Sequence, residues 1–287
     1  MQAHTPDSGD YFVPAPSRWP MVGAVALFLL GLGAALAVNR IAPGMWLLAA
    51  GAAVLVWMLV GWFGDVIRES VGGRYSGQVD QSFRWGMSWF IFSEVMFFGA
   101  FFGALFYVRA IALPDLSGQV TGQWLWPDFR AAWPASTGPL TASDYTPMEA
   151  WGLPALNTLI LLSSGATVTV AHWAMLAGRR RRLVLALGAT VALGLTFLCL
   201  QAWEYHHAFS SLNLTLGSGA YGMTFYMLTG FHGLHVLLGS VMLLVVWLRV
   251  LRGHFDADHH FAFEAAAWYW HFVDVVWLML FVFVYWL

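Results

Sequence analysis

The sequence predicts an all-α fold: a polytopic membrane protein of seven transmembrane helices. Three observations lead there. Hydrophobic residues make up 60% of the chain and charged residues only 10%, far outside the composition of a soluble domain. Seven apolar windows fall at about 19–38, 45–63, 85–108, 151–176, 183–204, 222–248 and 264–286. Each comes close to or exceeds the roughly 20 residues that a hydrocarbon core about 30 Å thick requires. The arginines, finally, gather on alternate sides of these windows.

Taken in order, residues 1–18 form a polar N-terminal segment holding Pro6, Pro14 and Pro16, so no cleavable signal peptide is expected before the first span. Residues 19–63 read as a two-helix hairpin closed by the short "NRIAPG". The polar stretch 64–84 is expected as an inner loop. Residues 85–287 carry the remaining five spans, interrupted by one long outer loop at 110–150 that is rich in Pro, Gly and Trp. Nothing in the chain repeats, and no appended soluble domain is visible.

All 13 basic residues are arginine. With the N-terminus inside, Arg18, Arg68, Arg74, Arg84, Arg179 to Arg182, Arg249 and Arg252 lie on the inner side, and Arg40, Arg109 and Arg130 lie outside. Ten against three is a clear positive-inside signal, and seven spans then leave the C-terminus outside. The net charge of −2 argues against a nucleic-acid partner. The single cysteine, Cys199, lies mid-helix and reads as a small apolar residue.

Charge within hydrocarbon is costly, so each ionisable residue inside a span is a functional candidate. Glu94, in "WFIFSEVMFFGAFF", lies ten residues beyond Arg84, or about 15 Å along a helix, with only Ser93 as a polar sequence neighbour. It could relay protons, accept a bond from a lipid headgroup amine or a neighbouring helix, or make one structural hydrogen bond. The last span places Glu264, His271 and Asp274 along one helical face. The fourth shows a similar seam at Thr158, Gly165, Thr169 and His172. In the sixth span, "FHGLH" sets His232 and His235 one turn apart. Metal or haem ligation would need further ligands that no second HxxH or Cys/His cluster supplies. Hydrogen bonding between helices is favoured, because Gly230, Gly233 and Gly239 on the same helix allow close backbone approach. His259 and His260, beside Asp256 and Asp258, read as a surface loop rather than a zinc site.

In sequence order, "GDVIRES" (64–70), "FRWGMSWFIFSEVMFFGAFF" (83–102), "LNTLILLSSGATVTVAH" (156–172), "QAWEY" (201–205), "YGMTFYMLTGFHGLHVLLGS" (221–240) and "HHFAFEAAAWYWHFVDVVWLMLFVFVYW" (259–286) resemble subunit III of the haem–copper cytochrome c oxidases. The proline-rich lead "YFVPAPSRWP" is similar too. The resemblance spans nearly the whole chain. It implies a two-plus-five bundle of helices around a V-shaped cleft filled with phospholipid. It also implies a chain without redox centre, catalytic residue or bound metal, the haems and copper belonging to partner subunits I and II. "FHGLH" would then be structural. By motif position, Trp62, Arg68, Glu94, Arg249 and His254 are expected to face lipid headgroups or the cleft. Two departures stand out: Tyr75 where the family commonly has histidine, and Phe63 where it commonly has a second tryptophan.

The function expected from the resemblance is that of a non-redox subunit of a proton-pumping terminal oxidase. It would reside in the cell inner membrane with its N-terminus cytoplasmic and its C-terminus periplasmic. It would stabilise the catalytic core through subunit I, and would meet cytochrome c only through the complex. Asp256, His259 and His260 are expected to collect protons at the inner surface. A quinol oxidase subunit is the alternative, although those members often lack the first two helices. A free-standing transporter is disfavoured, because the spans show neither an inverted repeat nor a pair of broken helices.

Overall fold

The computed structural model describes residues 12–13, 16–118, 124–127, 129, 131–135, 140–141, 143–255 and 259–287. Among the described residues, seven helices are long and apolar enough to cross a membrane. They are α1 (Trp19–Val38), α2 (Gly44–Val71), α3 (Gly77–Phe106), α4 (Leu153–Leu176), α5 (Arg180–Ser211), α6 (Ala220–Leu251) and α7 (Phe261–Leu280). The chain is a multi-pass helical membrane protein.

The polar stretch 64–84, expected as a loop, is mostly helix. α2 runs on to Val71 and α3 starts at Gly77, so the connection shrinks to residues 72–76. Outside the hydrocarbon, the helix-favouring Arg, Glu and Gln residues extend both helices into the headgroup zone. At 1.5 Å per residue, the 28 residues of α2 reach about 42 Å, nearly the full bilayer with its headgroups. Gly73, at φ +68°, ends the run, since a left-handed conformation favours glycine. At its other end, α3 continues through a wide turn of π type at Tyr107–Ala112 into Leu113–Gly118. Pro114 follows that turn and has no N–H to return to the helix, so the wider ring lets the chain pass it without breaking off. The last helix ends in a similar π turn, Phe281–Trp286.

Two compact units divide at Phe83 and Arg84. In the first, α1 and α2 form an antiparallel hairpin seamed by glycine. A Cβ on Gly33 would lie 2.6 Å from the Leu48 nitrogen, and one on Gly51 would lie 2.8 Å from that of Leu30. Gly44 fits as tightly against Ala37. Such backbone-to-backbone packing drives helix association where lipid is as apolar as leucine. At the far end of the hairpin, the Trp19 ring lies over Gly61 and its Nε1 donates to Asp65 Oδ2 at 2.6 Å.

In the second unit, α4 to α7 surround a core centred on Trp270 and Trp277, both fully buried. Trp270 is held between Gly194 on α5 and Gly239 on α6, where Cβ atoms would approach it to 2.7 and 2.9 Å. Its Nε1 donates to Ser164 Oγ at 2.8 Å, and Trp277 Nε1 donates to Thr158 Oγ1 at 2.9 Å. The described part of the long loop folds back onto the start of α6. There Tyr145 stacks on Tyr221, with centroids 5.5 Å apart and planes at 3°, and donates its hydroxyl to the Ala135 carbonyl at 2.7 Å.

Candidate functional site

The polar residues of α4 and α7 meet rung by rung in antiparallel order. Starting from the arginine-rich end, His172 lies 3.6 Å from Glu264. Next, Thr169 Oγ1 lies 3.3 Å from His271 Nε2. Asp274 then packs against Gly165, where any Cβ would collide with its carboxylate, and the Trp277–Thr158 bond follows. Thr169 Oγ1 also lies 2.9 Å from the Gly165 carbonyl, which can accept its proton. His271 Nδ1 faces Asp274 Oδ2 at 3.5 Å.

Glu264 is the most connected of these groups. One carboxylate oxygen accepts from His260 Nε2 at 3.0 Å, and the other is paired with the Arg84 guanidinium at the head of α3. His260, expected on a surface loop, is only 8% exposed. It sits immediately before α7, where its ring turns inward to the carboxylate one turn along. His259 beside it is exposed. Asp256 lies outside the described residues.

Glu94, which in sequence has only Ser93 for polar company, is paired with His235 of α6: Nε2 and Oε2 are 2.9 Å apart. His235 Nδ1 lies 2.6 Å from the Phe231 carbonyl. A carbonyl only accepts, so Nδ1 is protonated, and one further proton is shared between Nε2 and the carboxyl oxygen. The pair is net neutral whichever atom holds that proton, which suits burial in hydrocarbon. His232 points elsewhere: its Nε2 donates to the Val273 carbonyl on α7 at 3.2 Å. The two imidazoles of "FHGLH" thus bond two different helices and do not converge on a common point.

The expected headgroup residues lie in both units. Trp62 is half-exposed and stacked on Phe63; Arg68 is exposed and paired with Asp65. Arg249, expected to face a lipid headgroup or the cleft, is 6% exposed, with its guanidinium 4.4 Å over the Phe255 ring. The arginine's stem and planar head are amphipathic enough to pack inward in this way. His254, partly buried, donates its backbone N–H to the Arg249 carbonyl. Beside them opens a cavity of about 280 Å³, bordered by Met175, Arg180, Val250, Gly253 and Phe255.

Sequence reasoning missed three partners. These are His235 for Glu94, Arg84 for Glu264, and Tyr285 for Glu204, whose Oε1 accepts from the tyrosine hydroxyl at 2.5 Å. Matching depth was the available signal. Arg84 and Glu264 each open an apolar span at the same end, and Glu204 and Tyr285 each stand near the close of one.

A sequence profile for the family described as cytochrome c oxidase subunit III matches residues 9–287. Relatives of the same description include those of Hippopotamus amphibius, 43% identical over 96% of both chains, and Danio rerio, 42% identical over 99% of this chain and 98% of the relative. That of Squalus acanthias is 43% identical over the same shares. With seven apolar helices and a match running from residue 9 to the last residue, the chain belongs to the cytochrome c oxidase subunit III family of the respiratory chain.

Proposed function

We propose that this chain is a non-redox subunit of a proton-pumping aerobic terminal oxidase that accepts electrons from cytochrome c. It lies in a cell inner membrane with its N-terminus on the cytoplasmic side and the C-terminus in the periplasm. It packs against subunit I, with subunit II in the same assembly. It stabilises the catalytic core, retains phospholipid, and supports proton uptake during sustained turnover, while haem and copper stay with the partner subunits.

One observation carries this reading: three carboxylates inside the spans are each bonded to a side chain of another helical segment. Glu94 is matched by His235, Glu264 by Arg84 and His260, and Glu204 by Tyr285. Groups that hold helices together suit a supporting subunit. Phospholipid binding is supported by the exposed Arg68 beside Trp62, and by the cavity whose rim carries Arg180, since guanidinium is well matched to phosphate. The presence of α1 and α2 favours cytochrome c over quinol as donor.

The test is to purify the complex with and without this chain from cells expressing both. The complex lacking the chain should still reduce oxygen. It should turn over more slowly at high pH and lose activity progressively while working. If instead this chain migrates alone and without haem on a native gel, or if its removal leaves long-term activity untouched, the reading fails.

A further inference from the structure

We propose that His172, His260 and Glu264 form a binding site for a divalent transition-metal cation of the zinc type, at the arginine-rich end of the α4–α7 seam. Their ligand atoms all lie within 4.8 Å of one another. Two of the separations are close to what a tetrahedral ion demands: 3.0 Å from His260 Nε2 to Glu264 Oε1, and 3.6 Å from His172 Nε2 to the same oxygen. Ligands about 2.0–2.1 Å from zinc lie roughly 3.3 Å apart in a tetrahedron. Two imidazoles and a carboxylate are a donor set that zinc accepts, with a fourth position left for water.

Three features make this more than a chance cluster. His172 Nε2 is buried and has no hydrogen-bond partner, although Glu264 Oε1 lies only 3.6 Å away. The carboxylate is already oriented: Arg84 holds its second oxygen, as an outer partner holds a ligating carboxylate in known metal sites. The ligands also come from separate elements, His172 from the end of α4 and the other two from the start of α7, so bound metal would staple the two helices. On binding, His260 would move its proton to Nδ1, leaving Nε2 free to ligate with no net proton lost. Arg84 adds a positive charge nearby, so the site should hold its metal reversibly.

The experiment uses the purified complex containing the full chain. It is stripped with a chelator, dialysed against zinc, freed of excess by gel filtration, and assayed for zinc per mole of this chain. The native chain should retain one zinc more than either His172→Gln or His260→Gln. Because either variant could fail to assemble, crystals of the native complex soaked in zinc supply an independent readout. Anomalous scattering at the zinc edge should give a peak between the three side chains. Equal zinc in native and variant complexes, or anomalous peaks only at other places, would overturn the proposal.

Discussion

The bond between Glu94 and His235 offers the sharpest test of how this bundle is held. Replacing Glu94 by leucine leaves His235 Nε2 among the rings of Phe97 and Phe98, whose centroids lie 5.9 and 5.0 Å from the imidazole. The leucine side chain offers nothing to replace the bond to the carboxylate. The lost interhelical bond contributes about 0.6–1.7 kcal/mol in a membrane, and an orphaned buried polar group costs about 1–3 kcal/mol. Leucine should therefore destabilise the chain by about 1–3 kcal/mol, or roughly 5- to 150-fold in the folded-to-unfolded ratio. Glutamine behaves differently. His235 Nδ1 already donates to Phe231, so the neutral ring can accept at Nε2 from the new amide, and the change should stay within about 0.5 kcal/mol. Denaturant titration of the complex, scored by retention of this chain, measures both. A double-mutant cycle with His235→Leu should show coupling well beyond the roughly 0.3–0.5 kcal/mol scatter of independent sites. Glu94→Gln should also leave the number of protons pumped per electron unchanged in reconstituted vesicles. Additive single mutants would refute the paired geometry, and lost pumping in the glutamine variant would place this carboxyl in a proton path.

Other outcomes follow from the same geometry. Gly194→Ala would bring a methyl group to within 2.7 Å of the Trp270 ring and 2.9 Å of Ser240 Oγ, and should destabilise the bundle by about 1–3 kcal/mol through overpacking, read as a lowered thermal midpoint. Arg68→Gln should hardly change stability, since its pairing with Asp65 is solvent-exposed. It should nonetheless reduce the phospholipid that survives detergent washing, counted by mass spectrometry; an unchanged count rules against headgroup binding there. Burial pushes the Tyr145 phenol up to about 12 from the usual 10.0. The folded state therefore holds this proton more tightly, and the associated stability is complete below pH 10 and lost as pH rises toward 12. Tyr145→Phe should flatten that part of an alkaline unfolding profile.

The seven spans were legible because hydrocarbon imposes a length and a composition that few other environments require. Their ends were not. Apolar windows report where lipid stops, whereas Arg68 and Glu69 continue α2 through the headgroup zone as good helix formers. The seams on α4 and α7 could be read from helical spacing, since residues three, four and seven apart share a face on any helix. Which seam meets which was not written in the spacing. Glu94 looked isolated because its partner lies 141 residues away, and His260 looked exposed because its neighbours in sequence are acidic and polar. Burial at that position is decided by the first turn of α7 and the Glu264 carboxylate, a tertiary matter.

The polar pairs also explain how so apolar a chain specifies one arrangement. Within a bilayer, a leucine gains little by leaving lipid for another leucine, so apolar contact alone cannot choose one helix register over the next. A shift of α7 by one residue along α4 would cost the Trp277–Thr158 bond and the Thr169–His271 bond, and would move the Asp274 carboxylate off Gly165, the position without a Cβ. Each such loss leaves a polar group facing hydrocarbon, where no water can take the partner's place. Close glycine contacts act in the same direction, because Gly194 and Gly239 admit the Trp270 ring at one depth only. The unpaired group is therefore what penalises the wrong register. That penalty applies to every alternative packing at once, whereas the gain from each correct bond is small.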